Sequence, residues 1–258
     1  MTESPGAWEF GRQVVLRPGR AAQALRVKDA LPAALSIFLA YLLVSAVFHA
    51  WKPFDFPPLP GGAAMEPPAG GLLFWIGAQA WQIPLSALGI LLTAWFVRLL
   101  AGPGLPRRIA AAAACALLPL VLIGACRLAR MPRWIFASCL LALLAALAPG
   151  LRRVGRDVWR PLAAWLLAVN AVALASLPVA AGLVLLRAAP AYEAFQYAAA
   201  FWMLALATYG VGRIFSVGTA RAFCAVFLSV VCEVLCLLSF HILGLVTKPT
   251  LAVLLLTL

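Results

Sequence analysis

The segment from Ala222 to Val246 constrains the fold of this chain more than any other part of its sequence. It reads AFCAVFLSVVCEVLCLLSFHILGLV, 25 residues with one carboxylate and no lysine or arginine. As a helix it would be roughly 37 Å long at ~1.5 Å per residue, which exceeds the ~30 Å hydrocarbon core of a bilayer. The segment therefore predicts a transmembrane helix that carries Glu233 near its midpoint.

The composition of the whole chain agrees with a membrane protein. Hydrophobic residues make up 65% of the 258 residues and charged residues 11%, whereas soluble domains have about half and about a quarter. In a soluble protein the net charge of +12 would indicate nucleic-acid binding. Here the basic residues stand between apolar segments, where they orient a membrane protein. We therefore expect the lipid bilayer as a partner and no nucleic acid.

The alternation of apolar segments with short basic loops predicts an all-α fold, a polytopic transmembrane bundle of about seven hydrophobic segments. Residues 1–32 are predicted as a basic cytoplasmic juxtamembrane segment, with a helix of about three turns beginning near Pro18. The transmembrane domain is predicted over 33–246. Residues 247–258 form a hydrophobic tail, too short to cross, that packs on the bundle or lies along the interface.

The basic residues predict an inner-membrane protein with a cytoplasmic N-terminus. With seven spans, 14 of the 20 lysines and arginines fall on the cytoplasmic side. Three of the other six, Arg127, Arg130 and Arg133, precede a segment (134–148) of only 15 residues, below the usual minimum of about 17. An alternative with five spans and a re-entrant or interfacial hairpin at 109–148 would move these arginines inside, and the sequence leaves it open.

The residues that carry enzyme chemistry are scarce. Of the eight acidic residues, only Glu233 lies inside an apolar segment, and the two histidines fall in different segments. The six cysteines make no CxxC pair, and no Walker loop, GxGxxG or GxSxG occurs. The sequence therefore predicts no catalytic residue, no metal site and no cofactor.

Four polar residues inside apolar segments are candidates for an intramembrane path: Glu233, Asn170, His241 and Gln82. Counted along their helices, Asn170 and Glu233 differ in depth by only about 3 Å, which allows a hydrogen bond between them. The competing hypothesis is structural, with a protonated Glu233 bonded locally, for example to Ser229 one turn back. We favour the structural hypothesis because a transport path needs more polar lining than this.

These observations predict a non-enzymatic membrane protein that acts as a scaffold or accessory subunit of a membrane complex. A second basic cluster would dock other membrane or membrane-associated subunits: Arg152, Arg153, Arg156 and Arg160. The alternative is a permease or proton-coupled transport component with a path around Glu233, since prolines within three segments permit broken helices. No inverted repeat relates the two halves of the sequence, which disfavours an autonomous transporter.

Three stretches resemble the Yip-domain (Ypt-interacting-protein-like) membrane protein family, in particular its bacterial branch. They are VVLRPGRAAQAL at 14–25, ACALLPLVLIGA at 114–125, and FWMLALATYGVGRIFSVGTARAFCAVFLSVV at 201–231. The resemblance implies a small all-helical membrane protein. The chain lacks the Asp-Leu-Tyr-Gly-Pro motif of eukaryotic members and has more hydrophobic segments than the usual five. The GTPase-binding role of eukaryotic relatives is therefore not expected here.

Overall fold

A computed structural model describes residues 6–27, 29–53, 55–57, 70–152 and 154–257. Within these residues the chain is helical and has no strand, which confirms the predicted all-α fold. The helices are α1 (Ala7–Leu16), α2 (Pro18–Val27), α3 (Leu31–Trp51), α4 (Gly71–Ala80), α5 (Gln82–Leu100), α6 (Leu105–Leu128), α7 (Arg133–Ala145), α8 (Ala148–Leu151), α9 (Arg156–Ala168), α10 (Asn170–Leu185), α11 (Ala189–Phe215), α12 (Thr219–Ile242) and α13 (Lys248–Thr257).

Seven helical stretches are long and apolar enough to cross a membrane, as the sequence predicts. They are α3, α4 with α5, α6, α7 with α8, α9 with α10, α11 and α12. The chain is therefore an integral, multi-pass membrane protein.

The fourth stretch corrects the length expected from the sequence. It runs from Arg133 to Leu151, 19 residues rather than 15, because Ala146 and Leu147 keep right-handed helical backbone angles between α7 and α8. Nineteen residues reach the length that a crossing helix needs. The length argument for a hairpin at 109–148 therefore no longer applies, whereas the argument from the charges of Arg127, Arg130 and Arg133 is unaffected.

Three prolines lie within the predicted apolar segments, and none of them ends a helix. Trp81 forms a turn between α4 and α5, so that Pro84 lies in the first turn of α5, where its missing N–H is not needed. Pro119 and Pro178 lie inside α6 and α10, which continue past them.

The helices divide into two compact units, and each is described by itself. The first comprises the residues up to Gln82 together with 163–210. Its helix α1 packs against α3 and α10 and buries Phe10 and Val14 completely. Gly11 permits this close approach, because an added Cβ would lie 3.3 Å from Ile37 Cδ1. The helix expected from Pro18 is present as α2, whereas α1 before it was not expected.

The second unit comprises residues 83–162 and 211–258. There α12 packs against α6 and α13, and Phe136 of α7 joins Ile123 of α6 in one apolar cluster. In the C-terminal tail, Leu254 is fully buried, so the tail packs on the helices, which is one of the two placements that the sequence allows. At the other end of α12, Arg221 Nη2 donates to the Gly102 carbonyl, 2.9 Å away, which ties the start of α12 to the loop after α5.

Candidate polar sites

Glu233 lies at the contact between α5 and α12 in the second unit. Its side chain is buried, with 8% of the residue exposed, and it faces Gly89 of α5. A Cβ added at Gly89 would come within 2.8 Å of Glu233 Oε2. The carboxyl group therefore fills a space that exists because residue 89 has no side chain.

A second polar contact joins the same two helices one turn away. Thr93 Oγ1 and Ser229 Oγ lie 2.9 Å apart, and both residues are buried. Ser229 also donates to the Ala225 carbonyl of its own helix. The Ser229 hydroxyl is thus bonded across the helix pair and to its own backbone, in place of the local bond to Glu233 that the sequence suggested.

The two pairs together show the relative direction of α5 and α12. Residue numbers rise from 89 to 93 on α5 while those of their partners fall from 233 to 229 on α12, so the helices run antiparallel here. The pairs also repeat at an interval of four residues on each helix, which places them on one face. The result is a narrow polar seam inside an otherwise apolar contact.

Of the other three members of the predicted path, Asn170 and His241 are bonded to nearby backbone. Asn170 Nδ2 donates to the Leu167 carbonyl at 3.0 Å, and His241 Nδ1 lies 2.8 Å from the Val246 carbonyl. Gln82 is buried. Asn170 and Gln82 belong to the first unit, and Glu233 and His241 to the second. A hydrogen bond between Asn170 and Glu233 therefore stays a prediction.

The predicted docking arginines follow α8 and begin α9 in the second unit. Arg152 and Arg160 are exposed. Arg153 lies outside the described residues, and only the backbone of Arg156 is described. Their role in docking stays a prediction.

A polar cluster in the first unit was not predicted as a site. His49 of α3 stacks on Trp75 of α4, with ring centroids 5.2 Å apart and planes inclined by 26°. One turn deeper, Gln79 Nε2 donates to Ser45 Oγ at 3.2 Å, and Gln79 is 2% exposed.

A signal for this cluster is present in the sequence. Ser45 and His49 are four residues apart, and so are Trp75 and Gln79, so that each pair lies on one helix face. What the sequence could not supply is the register that brings the two faces together.

Charged residues follow α3 at the end of this cluster. Lys52 Nζ donates to the Phe56 carbonyl at 2.7 Å and lies 5.5 Å from the centre of the Tyr192 ring. Burial lowers the pKa of the Lys52 ammonium group, because a charged group is less favourable away from water. Asp55 is paired with Arg187 at 3.8 Å.

Among the described residues, no three histidine, cysteine, aspartate or glutamate side chains come together as metal ligands. The six cysteines are free thiols.

Comparison with protein-family models, with curated proteins and with solved structures found no match for this chain. The resemblance to Yip-domain proteins therefore stays a prediction.

Proposed function

We propose that this protein is a non-enzymatic integral membrane protein that acts as a scaffold or accessory subunit of a membrane complex. One face of α7 and the turn after it carries the proposal. This small-residue face consists of Ser138, Ala142, Ala145 and Ala146, all of them exposed. Their spacing of four, three and one residues places them on one side of the helix.

The small-residue face suits contact with another transmembrane helix. Small side chains allow two helix backbones to approach closely, and such residues are enriched where helices associate in membranes. Few residues of this stretch are buried by the rest of the chain. In the most apolar part of Arg133–Leu151, 11% of the residues are buried, compared with 56% in α12. Helix α7 thus adds little to the packing of its own chain, which supports a role in contact with another subunit.

The proposed orientation places the N-terminus in the cytoplasm and the protein in the inner membrane. It is supported by the basic residues, of which 14 of 20 fall on the cytoplasmic side when all seven stretches cross. Arg152 and Arg160 then face the cytoplasm, where they would meet an acidic surface of a membrane-associated subunit. Membership of the Yip-domain family would fit this role but is not needed for it.

The proposal is tested by native mass spectrometry of the tagged protein, gently extracted from its own host. We expect a stoichiometric partner subunit with the wild type and at least about a tenfold loss of it with Ala142→Phe, a change of about 1.4 kcal/mol in binding. Leu120→Phe is the matched control, because Leu120 is an exposed apolar residue of α6 outside this face. A wild-type protein that is always recovered alone would contradict the proposal.

The second candidate is a proton-coupled transport component, and the buried Glu233 carboxyl group favours it. Acidic side chains within membrane segments are rare and are found in proton relays. In proteoliposomes with a trapped pH-sensitive dye, a relay predicts proton uptake that Glu233→Gln abolishes and Glu193→Gln, at an exposed position, retains. Wild-type vesicles that take up no more protons than empty ones would exclude proton transport by the chain alone.

A further inference from the structure

We propose that the α3–α4 contact of the first unit binds a neutral hydroxyl group at Gln79 and His49. The hydroxyl is that of a water molecule or of a lipid headgroup. The inference is independent of the function proposed above, because it rests on a different pair of helices.

The Gln79 side chain supplies an acceptor to which no described residue donates. Its Nε2 donates to Ser45 Oγ, while its Oε1 is buried and has no hydrogen-bond partner among the described residues. A buried polar atom without a partner is costly, and most such atoms in folded proteins are bonded to protein or to an ordered molecule. A group that donates a hydrogen bond to Oε1 removes this cost.

His49 supplies a second acceptor on the same contact. Its Nδ1 lies 2.8 Å from the Ser45 carbonyl, which can only accept, so Nδ1 carries the hydrogen. In a neutral imidazole the other nitrogen, Nε2, then holds a lone pair. Stacking on Trp75 fixes the plane of the ring, so the direction of that lone pair is fixed as well.

The charges near the contact select a neutral ligand over a cation. Lys52 follows His49 by three residues at the end of α3, and its positive charge repels a cation. The nearest described acid in sequence, Asp55, is paired with Arg187. A neutral molecule with two O–H bonds, such as water or the glycerol headgroup, can donate to both acceptors without adding charge.

Two sources of a hydroxyl fit the position of the contact. His49 is half-buried and lies two residues before Trp51, the exposed last residue of the membrane-crossing helix α3. The contact therefore reaches the end of a membrane-crossing helix, where lipid headgroups lie and tryptophan is enriched, and the glycerol of phosphatidylglycerol is one such headgroup. A buried water with two or three polar partners is the other source.

The test measures the midpoint of thermal unfolding of the full-length protein in phosphatidylcholine nanodiscs. Ser45→Ala serves as the background, because it removes the Gln79–Ser45 bond from the comparison. In this background we expect Gln79→Leu to lower the midpoint by at least about 3 °C. The matched control is Thr208→Val, since Thr208 Oγ1 is the other buried side-chain oxygen without a partner in the described residues. We expect no decrease for the control.

A midpoint that Gln79→Leu leaves unchanged or raises would overturn the proposal, because an amide that binds nothing is better replaced by an apolar side chain. If the double variant does not fold, an experimental density map of the wild type decides. We expect density that is not protein within about 3.5 Å of Gln79 Oε1. A well-resolved map without it overturns the proposal.

A lipid comparison distinguishes the two sources. Phosphatidylcholine nanodiscs that contain phosphatidylglycerol are compared with matched discs that contain phosphatidic acid, which is also anionic but has no glycerol headgroup. A wild-type midpoint that is higher with phosphatidylglycerol, with the difference lost in Gln79→Leu, assigns the hydroxyl to a lipid. Equal midpoints with the Gln79→Leu decrease retained assign it to water.

Discussion

The indole ring of Trp165 lies directly against the backbone of Gly210, in the space that a side chain at residue 210 would occupy. Trp165 is fully buried, and its Nε1–H donates to the Leu206 carbonyl at 2.8 Å. The hydrogen bond holds the ring on α11 one turn before the glycine. Within the first unit, the second half of α9 is thus joined to α11 by a large side chain that only a glycine can accept.

Gly210→Ala should therefore destabilise the protein strongly. The added methyl group overlaps a ring that is fixed by its hydrogen bond, and we expect a loss of about 3 kcal/mol, at the upper end for overpacking. Gly182→Ala is the control, because a Cβ there meets no atom within 4 Å. Thermal unfolding followed by a thiol-reactive dye measures both, since Cys232 and Cys236 are buried in the folded chain. Equal midpoints for the two variants would show that the ring can move.

The Thr93–Ser229 contact should behave as a coupled pair. Thr93→Val and Ser229→Ala are each expected to lose about 1 kcal/mol, and the double variant should lose less than the sum, by about 0.6 kcal/mol. Ser239 is the control partner, because it is also buried on α12 but bonds to the Leu235 carbonyl of its own helix. Thr93→Val with Ser239→Ala should be additive. Additivity in the first pair would show that the contact between the helices contributes nothing.

Helix α1 should be part of the folded core rather than a dispensable tail. Phe10→Ala is expected to lose about 3–5 kcal/mol, as for buried aromatic residues elsewhere. Trp8 is the matched control, since it lies on the same helix and is 83% exposed, and its replacement by alanine should change stability by less than about 0.5 kcal/mol. Chemical denaturation of both variants in one detergent compares them. Similar losses would mean that α1 detaches without consequence.

The number of spans is decided by the side on which Arg130 lies. In a background without the native cysteines, seven spans predict that Arg130→Cys reacts with a membrane-impermeant maleimide in intact spheroplasts. Arg107→Cys is cytoplasmic in either topology, so it should react only after lysis. Five spans with a hairpin at 109–148 predict that neither cysteine reacts before lysis.

The length and apolarity of the segments predicted the fold class. A helix that crosses lipid requires about 20 apolar residues, and a run of that length is visible within a single stretch of the sequence. The same local rule gave the wrong length for 134–148, since the apolar segment was counted only to Ala148, where the backbone makes a further helical turn to Leu151. Helix α1 was missed for a related reason. Its buried face depends on Gly11 meeting Ile37, which are 26 positions apart in the chain.

The sequence by itself determined that the chain crosses a membrane and that Glu233 is its one acidic residue within an apolar segment, because hydrophobicity and charge are properties of each residue. Only the tertiary structure decided what the polar residues contact. Register and helix pairing brought Glu233 to Gly89, Ser229 to Thr93, and Gln79 to Ser45. These contacts depend on the packing of side chains from distant segments, which no single stretch of sequence encodes.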